Sequence, residues 1–326
     1  MRFGERTATI LLASAAAAAF GFAGCGAVAQ TADTEAAHVA AASQAAGQDL
    51  RAPFRLCPGA PPAADPVSAT AEPAKVFDNL YFVGIPAVAA WAIPTSDGII
   101  VIDSLNNARE AETFVEGGLR KLGFDPAQVK YVLITHGHVD HYGGAQYLAD
   151  KLHVQLVMSE TDWNFLATQR SSANPNRGPI PKRGMAVKDG DKLTLGDTSI
   201  EIYETPPHTP GTISLIIPLK DGNTRHVGAL WGGNSFNFQP TEANFTTYAN
   251  SVAKFAQIAK AAGADVQLSN HPNFDEALEK IAKLKTRAPG QPHPFVVGAA
   301  AEARIFTVQS ECALASRAKL RAAAGK

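Results

Sequence analysis

The stretch Thr135-His136-Gly137-His138-Val139-Asp140-His141 constrains this 326-residue chain more than any other. Three imidazoles and a carboxylate fall within six residues, directly after the largely apolar run 129–134. Imidazole nitrogen and carboxylate oxygen are the ligands zinc takes when no thiolate is offered. His136 and His138 are two apart, so an extended segment points them the same way. Asp140 and His141 follow as the chain turns, placed to face a second metal beside the first. Gly143-Gly144 then lets the backbone bend tightly into a helix. Scattered surface histidines do not account for four ligand-type residues packed at a strand end.

Two later histidines complete a set of six. His208 sits in Thr205-Pro206-Pro207-His208-Thr209-Pro210-Gly211-Thr212, a Pro/Gly-rich turn between the apolar runs 199–203 and 213–219. His271 sits in Leu268-Ser269-Asn270-His271-Pro272, again just after a short apolar segment. All six lie at strand-to-loop transitions. The other histidines, His38, His153, His226 and His293, lie away from these motifs and read as structural or exposed.

With these residues the chain resembles the metallo-β-lactamase superfamily, whose signature is His-x-His-x-Asp-His followed by two distant histidines. The resemblance covers roughly residues 77–285 and includes the entry Asp78-Asn79-Leu80-Tyr81-Phe82-Val83-Gly84 and the segment Ile99-Ile100-Val101-Ile102-Asp103. It implies an αββα sandwich holding two zinc ions per chain. His136, His138 and His208 would bind one ion, and Asp140, His141 and His271 the other.

One departure narrows the resemblance. Lactonases and glyoxalase-type thioesterases of this superfamily carry a metal-bridging Asp roughly 20 to 25 residues after the third histidine position. Here that stretch reads Leu230-Trp231-Gly232-Gly233-Asn234-Ser235-Phe236-Asn237, without an acid. Asp221 comes too early, in the turn Asp221-Gly222-Asn223, and no cysteine is near. Absence of both is similar to subclass B3 β-lactamases, whose turn reads Ala-Asp-Ser. Ser235 and Asn237 are then expected to donate hydrogen bonds to a substrate carboxylate, with Lys182 or Arg183 as alternative holders. Trp231 is expected in the core.

The implied chemistry is opening of a β-lactam amide by zinc-bound hydroxide, since zinc lowers the pKa of its water from about 16 to near 7. Asp140, His136, His138, His208 and His271 are the catalytic set, and Asp140 orients the nucleophile. No Gly-x-Ser-x-Gly or Cys/His motif supplies a protein nucleophile instead. The alternative substrates are lactones of the acyl-homoserine type, or thioesters.

Composition bears on partners and compartment. The formal net charge of −1 gives no electrostatic case for nucleic acid, so the expected partner is a small molecule. Arg2 and Arg6, an apolar run over 10–22 and Ala27-Val28-Ala29 before Gln30 fit an export signal over residues 1–29, hence a periplasmic protein without a membrane span. A lipobox at Phe22-Ala23-Gly24-Cys25 is the alternative, with Phe unusual at its first position. Removing Cys25 with the signal leaves Cys57 and Cys312, an even pair that suggests one disulfide.

Residues 30–75 read as a flexible linker followed by an extended arm, rich in Ala, Gln, Ser and Pro without a period. Residues 76–326 read as the hydrolase domain with a C-terminal helical extension. Strands are expected over 80–83, 87–93, 98–102, 129–134, 154–158, 192–195, 199–203, 212–218, 226–230 and 266–268. Helices are expected over 108–122, 144–152, 159–168, 242–262, 274–285 and most of 296–324. The polar loop 171–184 is either a cover over the site or a plain connector.

Overall fold

In this computed structural model, which describes Met1 and residues 33–61 and 71–325, the alternating apolar residues build two sheets. The first contains β1 (Ala74–Phe77), β2 (Leu80–Phe82), β3 (Trp91–Thr95), β4 (Gly98–Ile102), β5 (Val129–Leu133), β6 (Gln155–Ser159) and β7 (Met185–Val187), side by side in that order. β1 to β4 run antiparallel and β4 to β7 parallel. The second contains β8 (Lys192–Leu195), β9 (Thr198–Glu204), β10 (Ile213–Asp221), β11 (Thr224–Trp231) and β12 (Val266–Ser269), in the order β12-β11-β10-β9-β8. Only its β11–β12 pair is parallel.

Strand composition follows position. β4 is covered on both faces and reads Ile-Ile-Val-Ile after its glycine, a continuous β-branched run. β9 alternates, burying Ile200 and Ile202 while Ser199 and Glu201 face outward. The inner faces meet in one core, with Trp91, Ile93, Ile100 and Leu133 of the first sheet against Ile202, Leu215, Leu230 and Leu268 of the second. Helices Ala145–Leu152 and Glu160–Ala167 cover the outer face of the first sheet through Leu148, Trp163 and Leu166. Helices Glu242–Ala262 and Ala299–Ala324 cover the second through Phe245, Phe255 and Phe306. These layers make the expected αββα sandwich. No helix among the described residues is long and apolar enough to cross a membrane, and the expected export signal and Cys25 lie outside those residues.

The linker reading of the N-terminal region needs correction. Glu35–Ala46 is a helix capped by Thr34, whose hydroxyl accepts from Ala37 N at 3.2 Å, and Arg51–Phe54 forms a further turn. Both pack on the C-terminal helix, burying Ala42, Ala46 and Leu50 beside Ile305 and Val308. An alanine-rich helix presents little contrast between its faces, so the amphipathic signal used to recognise helices is missing. The expected disulfide Cys57–Cys312 is present and ties this arm down, together with Arg304, which pairs with Asp49. Two short strands, β1 and β7, add to the expected set, and the helix expected over 274–285 is broken at Glu276, φ 56.

Candidate metal centre

Strand ends of both sheets deliver the ligand-type residues to one cleft. His136, His138, Asp140 and His141 follow β5, His208 lies between β9 and β10, and His271 follows β12. They gather as two triads, His136 with His138 and His208, and Asp140 with His141 and His271, their ligand atoms within 4.8 Å of one another. All six sequence candidates are therefore brought together. His138, Asp140, His208 and His271 line a cleft of about 540 Å³ with Ser235, Asn237 and others, while His136 and His141 are fully buried beneath it.

The ring nitrogens face one another. His208 Nε2 lies 3.0 Å from His138 Nδ1 and 3.1 Å from His136 Nε2, and His141 Nε2 lies 3.2 Å from His271 Nε2. Three lone pairs converging on one point cannot all be satisfied by protons shared among them. They are near the ~3.3 Å spacing of nitrogens around a tetrahedral zinc with Zn–N of about 2.0–2.1 Å. Burial, reinforced by neighbouring imidazoles, pushes His138 down to about 4 and His208 down to about 3, and holds His136 well below the usual histidine range. These rings stay neutral, the form that ligates metal. Burial disfavours charge on His141 too, but Asp103 and Asp140 outweigh it and raise the imidazole. Burial likewise opposes ionisation of Asp140, and His141 and His271 overcome it, so Asp140 remains a carboxylate. The donor set fits divalent metal in both triads.

In His136, His141, His208 and His271 the other ring nitrogen is engaged away from the centre, which fixes tautomer and aim. His141 Nδ1 meets Asp103 Oδ2 at 2.7 Å, His208 Nδ1 donates to Ser235 O at 2.6 Å, and His271 Nδ1 donates to Ala87 O at 2.8 Å. His136 Nδ1 lies 3.1 Å from Thr135 Oγ1. Behind these sit three residues that the sequence reading gave no role. Asp103 also accepts from Thr135 N and Oγ1. Asp162, buried, accepts from Gly137 N and Gly211 N at 2.7 Å each and from Thr209 Oγ1, locking the first histidine loop to the His208 turn. Asn270 donates to Thr135 Oγ1 and Gly232 O, joining the ends of β5, β11 and β12.

Ser235 and Asn237 line the cleft as expected, but Asn234 does not. It is buried and donates to Trp231 O and Ser269 Oγ, bracing the turn from below. Trp231 lies in the core against Tyr248 and Phe255, and its Nε1 donates to Gly233 O at 2.9 Å. The remaining histidines that form bonds do so away from the cleft: His38 with Asp33 and Glu311, His226 with Asp265, and His293 with Val76 O. Lys182 and Arg183 also stay outside the cleft lining.

Comparison with known proteins agrees with this geometry. The profile of the metallo-β-lactamase superfamily matches residues 83–221. Residues 83–221 thus resemble that superfamily's domain. Its structure matches BJP-1, a subclass B3 metallo-β-lactamase of Bradyrhizobium japonicum, at 27% identity and a TM-score of 0.64, covering 79% of this chain and 98% of the other. Among curated sequences, a probable metallo-hydrolase, YybB, of Bacillus subtilis is 25% identical over 42% of this chain and 61% of its own length. The N-acyl homoserine lactonase AttM of Rhizobium radiobacter is 31% identical over 31% of this chain and 40% of its own. The matches to these two curated relatives thus span 61% and 40% of the relatives' lengths.

Proposed function

We propose that this protein is an exported di-zinc hydrolase of the subclass B3 type that opens the β-lactam amide. The observation that carries the reading is the donor set of the cleft. Two triads of five imidazoles and one carboxylate share it, and Asp140 is the only acid among its lining residues. The turn 232–237 contributes no bridging carboxylate and instead offers Ser235 and Asn237. That absence separates the cleft from the lactonase and thioesterase pattern.

His136, His138 and His208 would hold one zinc, and Asp140, His141 and His271 the second. Bound zinc supplies Lewis acidity toward the amide carbonyl and lowers the pKa of water to near 7. The chain's own groups do the rest. Asp140, ionised and facing the cleft, orients the attacking water. Ser235 and Asn237 donate to the substrate carboxylate, each contact worth roughly 1.5–3 kcal/mol at most. Asp103, Ser235 O and Ala87 O keep the rings in the ligating tautomer, so no reorganisation is needed when substrate arrives.

The second reading, a lactone hydrolase, is favoured by the likeness to AttM and is separated by experiment. Zinc-reconstituted protein is assayed on a penicillin, a carbapenem and an acyl-homoserine lactone, with and without chelator, and its metal is counted by elemental analysis. About two zinc per chain and chelator-sensitive opening of the β-lactams are expected. Turnover of the lactone alone, or turnover that survives chelation, overturns the reading.

A further inference from the structure

Loop 171–184 is fastened to the metal loop. Gly178 N donates to Asn106 O at 2.7 Å, and a Cβ on Gly178 would collide with the Gly143 carbonyl, two residues beyond His141. Asn106 is itself clamped: its N and Nδ2 both donate to Glu110 Oε2, at 3.1 and 2.7 Å. Its Oδ1 accepts from Arg177 Nη1. This chain of contacts aims one side chain. Arg177 is half-buried and lines the cleft with His138, Asp140, His208, Ser235 and Asn237.

Arg177 is the only lysine or arginine among the lining residues. It makes no salt bridge to a carboxylate among the described residues, although a guanidinium presents five donors in a fork that matches carboxylate geometry. The loop's other two cations are placed differently. Arg183 donates to Asn164 Oδ1 at 2.7 Å and lies 4.0 Å from Glu160, and the exposed Lys182 is held through its backbone by Gln146. A permanent cation held at the rim by Asn106 and left with unused donors is a receptor for an anionic group.

We propose that Arg177 reads a carboxylate on the substrate, so that the cleft selects anionic substrates over neutral ones of the same ring chemistry. This rests on the hydrolase reading above and adds a second anion contact to Ser235 and Asn237, from a different part of the chain. It also favours acids such as penicillins over uncharged lactones. Because the contact forms in the bound ground state, its loss acts chiefly on KM.

The test compares native protein with Arg177→Gln and Arg177→Lys, all zinc-loaded and matched in zinc content and thermal midpoint. Arg177→Gln keeps a donor for Asn106 and removes the charge; Arg177→Lys keeps the charge and removes the fork. The substrates are a penicillin and its methyl ester. The ratio of kcat/KM for acid over ester should fall roughly ten- to a hundredfold in Arg177→Gln, mainly through KM, and less in Arg177→Lys. Equal losses on acid and ester, or no loss, overturn the proposal. A parallel calorimetric titration uses the ring-opened penicilloate and its ester at the ring carboxylate. If native protein opens neither penicillin nor ester, the β-lactamase reading falls, yet calorimetry still decides Arg177. Acid-selective binding that Arg177→Gln abolishes upholds it. Binding without that selectivity, or none, rejects it.

Discussion

Asp103 adopts φ 61 at the end of β4, a backbone region that costs a non-glycine residue about 1–3 kcal/mol. Its buried carboxylate repays that with three contacts, to Thr135 N, Thr135 Oγ1 and His141 Nδ1. Replacing it by Asn keeps the shape but presents an amide donor where His141 Nδ1 needs an acceptor. Asp103→Asn should weaken zinc at the Asp140/His141/His271 triad about 10- to 100-fold and act less on the other triad, which it reaches only through Thr135 and His136. Competition with a chromophoric chelator resolves the two affinities. Two native-like affinities would remove Asp103 from its orienting role. The six ligand candidates were legible because four fall within six residues and all follow apolar runs. Asp103, Asp162 and Asn270 were not, because their partners lie 25 to 135 residues away and only the fold brings them together. Arg177 carries no local signal either: the sequence points to Lys182 or Arg183 of the same loop instead, and only the path of the loop brings Arg177 to the cleft.

Elements with strong local chemistry were readable to the residue. The helix Glu242–Ala262 begins at Thr241, whose hydroxyl accepts from Asn244 N, and ends at Gly263 with φ 73. β4 and β8 likewise match their expected limits. The arm helix Glu35–Ala46 was hidden because its alanines gain a buried face only against Ala299–Ala324. The loop 171–184 proves to be a fixed wall, and this can be tested through its glycine. Gly178→Ala forces a methyl into the Gly143 carbonyl, an overpacking that costs typically 1–3 kcal/mol. For a domain of this size that corresponds to a thermal midpoint lower by about 2–12 °C. The displaced loop carries Arg177 with it, so KM for a penicillin should rise while zinc content holds. A native midpoint measured by calorimetry would mean that the loop yields freely and is not a wall.

Taken as a whole, the molecule joins two halves of the sandwich at the ligand edge and cinches its ends at another place. Cys57 and Cys312, both buried, close a loop spanning 255 positions. The bridge fixes the arm to the last helix, and the arm in turn reaches the site: Arg55 Nη1 donates to Asn273 O at 2.9 Å, and Asn273 lines the cleft two residues after His271. Removing a native disulfide typically costs about 2–5 kcal/mol, because the released chain gains conformational freedom when unfolded. Cys57→Ala with Cys312→Ala should therefore lower the thermal midpoint by about 4–20 °C at the usual 2–4 °C per kcal/mol. Reductant should lower the native midpoint similarly and leave the double variant unmoved. The ligands depend on strand ends and on Asp103, Asp162 and Asn270, none of which touches the bridge. Zinc content and kcat at 25 °C should then stay within about twofold of native, with the arm cleaved sooner by added protease. A double variant that melts with the native protein would show that the arm is held by packing and ion pairs alone. One that loses zinc would show that the clamp through Arg55 supports His271.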